Sequence, residues 1–295
     1  MAKAKPSKTK ELPAPQKLDL GPYSLANVVL FLNKNFGLLL LCAGFFLGGL
    51  TVGALWTENR LLKKGGVTTT PTTQAQQAGQ QQQQQPQISL DQVKALFKNS
   101  GIKLGDDKRK VLFVEFSDPS CPYCHIAAGK NPELNAQAGD RFKLAQDGGS
   151  YLAPVPEMRK LVEAGKASLV WKYSPGHGNG EMGAIAQFCA NEKGKFWPVH
   201  DKLMSKEGYD LLNEQVKNDR TKAKELADFL SAEFNANDMQ KCLESGKYDQ
   251  QLKDDTALAT QFGAQGTPAF FVNETNFPGA YNFTDMKPVV DAALK

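Results

Sequence analysis

The sequence predicts an α/β domain interrupted by a block of helices and set behind a membrane span and a flexible linker. Three observations carry this expectation. Strand-like runs at Val111–Ser117 and Ala167–Tyr173 come before a long stretch of helical periodicity, and another at Thr267–Asn273 comes after it. Residues 36–56 are twenty-one consecutive uncharged positions, mostly apolar. The stretch between that run and the first amphipathic segment is of low complexity.

From the N-terminus, residues 1–35 form a basic tail. The uncharged run Phe36–Trp56 would rise about 30 Å as a helix, at ~1.5 Å per residue, enough to cross the hydrocarbon core of a bilayer. Six lysines precede it (Lys3, Lys5, Lys8, Lys10, Lys17 and Lys34), while Arg60, Lys63 and Lys64 after it are partly offset by Glu58. The positive-inside rule then places the N-terminus in the cytoplasm and the rest of the chain outside. No small-x-small cleavage site follows the run, so an uncleaved signal-anchor is expected. Residues 57–87 read as a Thr/Gln-rich tether with six glutamines in a row at Gln80–Gln85, a composition that cannot bury a core.

The folded part is expected over residues 88–295. Ser89 is a candidate N-cap for a short helix with Leu90, Val93, Leu96 and Phe97 on one face. Val111–Ser117 is β-branched and aromatic and reads as a strand. A helix should begin near Cys121, with Pro122 tolerated in its first turn. Ala138–Pro156, rich in Gly, Asp and Pro, receives no element. Ala167–Tyr173 is the second strand. From Glu181 to Phe262 apolar residues recur at three- and four-residue spacing, a helical insertion spanning about 175–263. A third strand at Thr267–Asn273, a fourth at Phe277–Asn282 and a final helix capped by Thr284 complete the chain.

Charge excludes one class of function. The chain carries 35 Lys and Arg against 31 Asp and Glu. Its first 65 residues have a balance of +6 and the remainder −2, so the basic character is confined to the tail. With no basic stripe on the folded part, nucleic acid is not an expected partner.

Of five cysteines, Cys42 lies in the apolar run and four (Cys121, Cys124, Cys189 and Cys242) fall outside the membrane on this topology. An even number in an oxidising compartment fits two disulfides. Cys121 and Cys124 form a C-x-x-C between a strand and a helix. That placement seats a thiol on a helix N-terminus, where backbone N–H groups and the helix dipole favour the thiolate. A thiolate with a second thiol one turn away can attack a disulfide and then be released by its neighbour. Because His125 follows, the string also matches the haem-attachment pattern C-x-x-C-H, but its position at a strand end in a large domain favours a redox dithiol. Zinc would require a second close pair, and Cys189 and Cys242 stand 53 residues apart. No metal or other cofactor is expected.

Three blocks carry a resemblance. Glu115-Phe-Ser-Asp-Pro-Ser-Cys-Pro-Tyr-Cys124, Phe188-Cys-Ala-Asn-Glu-Lys-Gly-Lys-Phe-Trp197-Pro-Val-His-Asp201 and Gly266-Thr-Pro-Ala-Phe-Phe-Val-Asn273 resemble signature blocks of the DsbA-like thiol:disulfide oxidoreductases. The likeness is to the membrane-anchored bacterial kind, and it implies a thioredoxin-like fold with an α-helical insertion. On it, Cys121 is the exposed nucleophile and Cys124 the buried resolving thiol, with Pro122 and Tyr123 tuning the thiolate between them. Glu115 is the acid beneath the dithiol that exchanges a proton with the resolving cysteine. Pro268 is a cis-proline facing the dithiol, and Thr267 offers its backbone to an extended substrate and its hydroxyl to the thiolate. Cys189 and Cys242 form a structural disulfide. Ala138–Pro156 and the glycine-rich Ser174–Gly180 depart from the family pattern.

The function so implied is an extracytoplasmic oxidase that places disulfides in exported proteins with free thiols. A quinone-linked membrane partner of the DsbB or vitamin-K-epoxide-reductase-like (VKOR-like) type would renew it. The alternatives are an isomerase or reductase of the same fold, and a redox-inactive peptide-binding or chaperone-like module.

Overall fold

The computed structural model describes residues 88–99 and 101–295. The expected tail, membrane span and linker lie outside the described residues. Among the described residues no helix is long and apolar enough to cross a membrane.

The first helix, α1 (Leu90–Asn99), opens with a reciprocal capping box. The Gln92 N–H donates to Ser89 Oγ at 3.3 Å, and the Ser89 N–H donates to Gln92 Oε1 at 2.8 Å. A short strand β1 (Ile102–Leu104) follows, then β2 (Val111–Ser117), in which all seven residues are buried. That burial explains why β2 reads as an apolar run rather than an alternation, since both faces of the strand are covered.

After β2 come α2 (Pro122–Ala128) and α3 (Pro132–Gln137), two single 3-10 turns at Asp140–Phe142 and Ala145–Asp147, and α4 (Pro154–Glu163). They lead into β3 (Ala167–Tyr173). The stretch given no element in the sequence is thus ordered: Phe142, Leu144 and Tyr151 bury themselves with Ile126 and Ala153.

The helical block comprises α5 (Glu181–Asn191), α6 (Phe196–Leu203), α7 (Lys206–Asp210) running into a wider turn at Leu211–Val216, α8 (Ala223–Phe229) and α9 (Ala236–Glu244). The next helix, α10 (Asp249–Gln261), returns to the sheet. There Ala259 and Phe262 pack with Leu112, Val114, Phe116 and Phe271. The chain ends with β4 (Ala269–Val272), β5 (Thr275–Pro278) and α11 (Phe283–Leu294).

The five strands lie in the order β1-β3-β2-β4-β5. β2 and β3 are parallel, and the other pairs are antiparallel. Val111, Phe113 and Leu169 face a core with Met158 of α4 and Met286 and Val290 of α11, while α1 and α10 cover the opposite face. A buried ion pair fastens α10 to β3: Lys172 Nζ lies 2.7 Å from Asp255 Oδ1, and Asp255 Oδ2 accepts the Tyr173 N–H at 3.1 Å.

Two expected boundaries are corrected. The fourth strand is Thr275–Pro278, not Phe277–Asn282, because the hairpin turn is tighter than expected. Asn273 takes a left-handed φ of 51° and Val272 already pairs with Thr275. The Asn273 side chain anchors this turn, accepting the Leu112 N–H at 2.8 Å and donating to the Lys110 carbonyl at 3.0 Å. The final helix is capped by Asn282 rather than Thr284: its Oδ1 accepts the Thr284 N–H at 3.1 Å.

Candidate active site

Strand β2 delivers the chain to the site at its C-terminal end. Asp118-Pro-Ser120 then turns it so that Cys121 is the N-cap of α2 and Pro122 fills the first helical position, where no backbone N–H is needed. Asp118 makes that turn: its Oδ1 accepts the Ser120 N–H and hydroxyl, each at 2.7 Å. Cys124 follows one turn later, its sulfur accepting the Asp118 N–H at 3.4 Å. The two cysteines cluster with Ala128 and with Met204 of the helical block.

The Thr267–Pro268 peptide bond is cis. The Cys121 thiol donates to the Thr267 carbonyl at 3.4 Å, so this bond and the dithiol face each other. Tyr123, between the cysteines, is the exposed member of the motif at 47 %. Its ring meets Phe142 edge-on at 5.9 Å. Together with Tyr151, Thr267 and Tyr281, these two rings line an open cleft of about 740 Å³.

The two sulfurs are driven apart in acidity. The Cys121 thiol is lowered to about 6, chiefly by a hydrogen bond from Cys124. Burial opposes the shift, while the Thr267 side chain and the Cys124 and Tyr123 N–H groups assist it. Cys124 goes the other way, pushed well above the ordinary thiol value first by burial and then by Cys121. Glu115 is buried on β2, its partners across the ladder being Trp171 and Phe270. Burial raises its carboxyl, only partly offset by His200 and Ser117. It is therefore a carboxyl able to hold a proton inside the sheet, on the strand that leads into the dithiol turn.

Cys189 of α5 and Cys242 of α9 form a disulfide, with Cα atoms 6.2 Å apart. It lies in the core of the helical block and takes no part in the dithiol site. The structure thus gathers Cys121, Pro122, Tyr123, Cys124, Thr267 and Pro268 at one site, of which Tyr123 is the exposed member, sets Glu115 inside the sheet, and leaves the Cys189–Cys242 pair in the insertion.

Two features escaped the sequence: the carboxylate that holds the glycine-rich loop, and a buried imidazole. The glycine-rich loop Ser174–Gly180 roofs the site. Asp118 Oδ2 accepts the N–H groups of Gly176 at 2.7 Å and His177 at 2.9 Å, while Ser120 Oγ accepts that of Asn179 at 3.2 Å. Gly176 must be glycine, because a Cβ there would fall 1.7 Å from Thr267 Oγ1. Under this roof only 4 % of Cys121 is exposed, so the nucleophile expected to be exposed is instead buried beneath the loop. The imidazole is that of His125, fully buried and braced between the carbonyls of Pro119 at 2.8 Å and Met204 at 3.0 Å. Burial lowers it to about 4, so the neutral ring donates to only one of the two carbonyls, and its complete burial between them leaves it unsuited to the haem pattern. The Asp-Pro-Ser string carried an Asx-turn signal for Asp118, but nothing local announced the loop it would hold.

Residues 155–292 match a family model described as thioredoxin. A variant of Wolbachia pipientis α-DsbA1 is similar with a TM-score of 0.51 at 16 % identity, over 70 % of this chain and 96 % of that one. Bacillus subtilis BdbD in its oxidised form is similar with a TM-score of 0.49 at 19 % identity, over 65 % and 91 %. In sequence, a Na(+)/H(+) antiporter NhaA of Herminiimonas arsenicoxydans is 26 % identical over 191 residues, 65 % of this chain and 25 % of that protein. The chain thus spans about a quarter of the length of the curated relatives it matches.

Proposed function

We propose that this chain, whose described part has the DsbA-like thioredoxin fold, is a thiol:disulfide oxidoreductase that forms disulfides in exported proteins through Cys121 and Cys124. The observation that carries this reading is the split in acidity across one helical turn. A thiol lowered to about 6 is a good leaving group at neutral pH, so electrons from a client come to rest on Cys121 as thiolate. Stabilising the reduced pair in this way makes the disulfide form more oxidising than that of an unperturbed dithiol, and an isomerase or reductase of the same fold is the second reading.

An extended client segment lies in the cleft beside Thr267 and Pro268 and pairs with the chain by strand addition. The Cys189–Cys242 disulfide supports residence in an oxidising compartment. A signal-anchor at residues 36–56 holds the catalytic domain on the outer side of the membrane, tethered through residues 57–87. A quinone-linked membrane partner of the DsbB or VKOR-like type withdraws the electrons.

The test is the equilibrium of the Cys121/Cys124 couple against glutathione. A potential near that of strong oxidants, about −120 mV, is expected, whereas one near about −270 mV would assign a reductant instead. Client binding that survives Cys121→Ser, with no thiol exchange by the unaltered protein, would leave only a peptide-binding module.

A further inference from the structure

The glycine-rich loop Ser174–Gly180 runs from the end of β3 to the start of α5 and stands where a client sulfur has to arrive. A Cβ on Gly176 would lie 1.7 Å from Thr267 Oγ1 and 3.3 Å from Cys121 Cβ. The Gly176 backbone is therefore pressed against both the nucleophile and the residue beside which an extended segment would pair. Thiol–disulfide exchange requires the incoming sulfur to touch Cys121 Sγ. With 4 % of Cys121 exposed, the closed loop leaves too little of it for that contact.

Nothing apolar holds the loop down. Its one apolar side chain, Pro175, is exposed, as are Gly176, His177 and Gly178. Hydrogen bonds hold it instead. Asp118 Oδ2 accepts the Gly176 and His177 N–H groups at 2.7 and 2.9 Å, and Ser120 Oγ accepts that of Asn179 at 3.2 Å. From the helical block, Asn213 Oδ1 accepts from Asn179 Nδ2 at 3.2 Å, and Asn218 Nδ2 donates to the Gly178 carbonyl at 2.8 Å. The root stays tied to the sheet, the Ser174 N–H donating to the Ser117 carbonyl at 3.1 Å. A segment held by exposed backbone bonds, with no buried apolar side chain, belongs to the part of a protein that opens without global unfolding. Gly176, Gly178 and Gly180 alternate along it, and Gly178 already takes a φ of 96°, so the chain beyond the root has room to swing.

We propose that Ser174–Gly180 is a strap latched by the Asp118 carboxylate, which an extended client segment displaces to reach Cys121 and Thr267. The inference deepens the functional reading above and rests on Cys121 being the reacting sulfur. Strap and client compete for one place, the face of Thr267 beside the thiol. A sulfur that is reactive at neutral pH is thereby withheld from small thiols until a segment able to pair beside Thr267 takes the place of the strap. Of the bonds that close the strap, the two to Asp118 are charge-assisted and so the strongest. The Asp118 carboxylate acts through the strap, so it is a positioning group.

The test is alkylation of the reduced full-length protein by iodoacetamide, followed at Cys121 by mass spectrometry across the pH range. Above the midpoint the sulfur is thiolate throughout, so the plateau rate reads access while the midpoint reads acidity. Asparagine has one acceptor oxygen where aspartate has two, so Asp118→Asn can hold the turn or the strap but not both. Gly176→Ala drives a methyl group into Thr267. Each is expected to raise the plateau by about tenfold or more, the yield of losing a charge-assisted hydrogen bond. Folded variants with the unaltered plateau would overturn the strap, as would a change confined to the midpoint. If neither variant folds, the unaltered protein decides. Its Gly176 and His177 amides should be protected from hydrogen exchange by the factor, to within about tenfold, by which Cys121 alkylation falls short of the thiolate in the denatured chain. Amides that exchange only on global unfolding while Cys121 reacts freely would refute it. Displacement is read in Cys124→Ala carrying a one-cysteine peptide as a mixed disulfide on Cys121: the same two amides should lose their protection, and keeping it would sink the proposal. An unaltered protein that alkylates as expected but exchanges with no thiol would instead defeat the functional reading.

Discussion

Cys121 and Cys124 are the same residue type one turn apart, and their difference is made by neighbours alone. The largest cause of the lowered Cys121 thiol is the hydrogen bond from Cys124. Cys124→Ala should therefore move the pH midpoint of Cys121 alkylation upward from about 6 toward the ordinary value near 9. The same depression links stability to pH. Between about 6 and 9 the folded reduced chain binds fewer protons at Cys121 than the unfolded chain, so stability rises with pH across that window and is lost as pH falls through about 6. Thermal melting of reduced against oxidised protein at these pH values should show the reduced form gaining; a constant difference would refute the assignment. At this scale the sequence was informative about chemistry and silent about support. The dithiol and the Thr267-Pro268 pair stand out as strings, whereas Asp118 matters because two distant stretches of chain meet at its carboxylate.

Among the elements, α5 and α9 are joined by the Cys189–Cys242 disulfide across 53 residues of sequence. Replacing both cysteines by serine should lower unfolding stability by about 2–4 kcal/mol, since the closed loop constrains the unfolded chain. Thiol exchange at Cys121 should persist. Equal melting with lost exchange, read by calorimetry and a thiol-oxidation assay, would reverse that division of labour. Elements could be recognised in the sequence where their own residues dictate them. β2 and β3 are buried along their whole length and occupy the runs expected of them. β1 has three residues and exists because the edge of β3 is there to pair with. β5 was displaced because its start depends on the left-handed Asn273. Helix α4 begins with Pro154 at its first position, a start signal obscured by the Gly- and Pro-rich stretch before it.

For the whole domain, the interruption of the α/β frame by helices was readable from the switch between runs and three-to-four spacing. The attachment of that block was not, because beside the apolar packing of Trp171 on Phe188 and Phe196 it includes a buried ion pair between distant residues. Lys172 and Asp255 are buried, and Gln251 joins them by donating to the Asp255 carboxylate at 2.6 Å. Asp255→Ala leaves a buried ammonium without its partner and should cost about 3–5 kcal/mol in denaturant unfolding. Lys172→Met with Asp255→Leu should recover most of that loss; an equal or greater loss in the double variant would show that the pair holds more than itself together. A different kind of fastening governs the roof over the reactive turn. Because one carboxylate, Asp118, grips both Ser120 beside the sulfur and the backbone of Gly176 and His177 above it, the two strips of chain share any load. The cover cannot be prised up without tugging on the turn it protects.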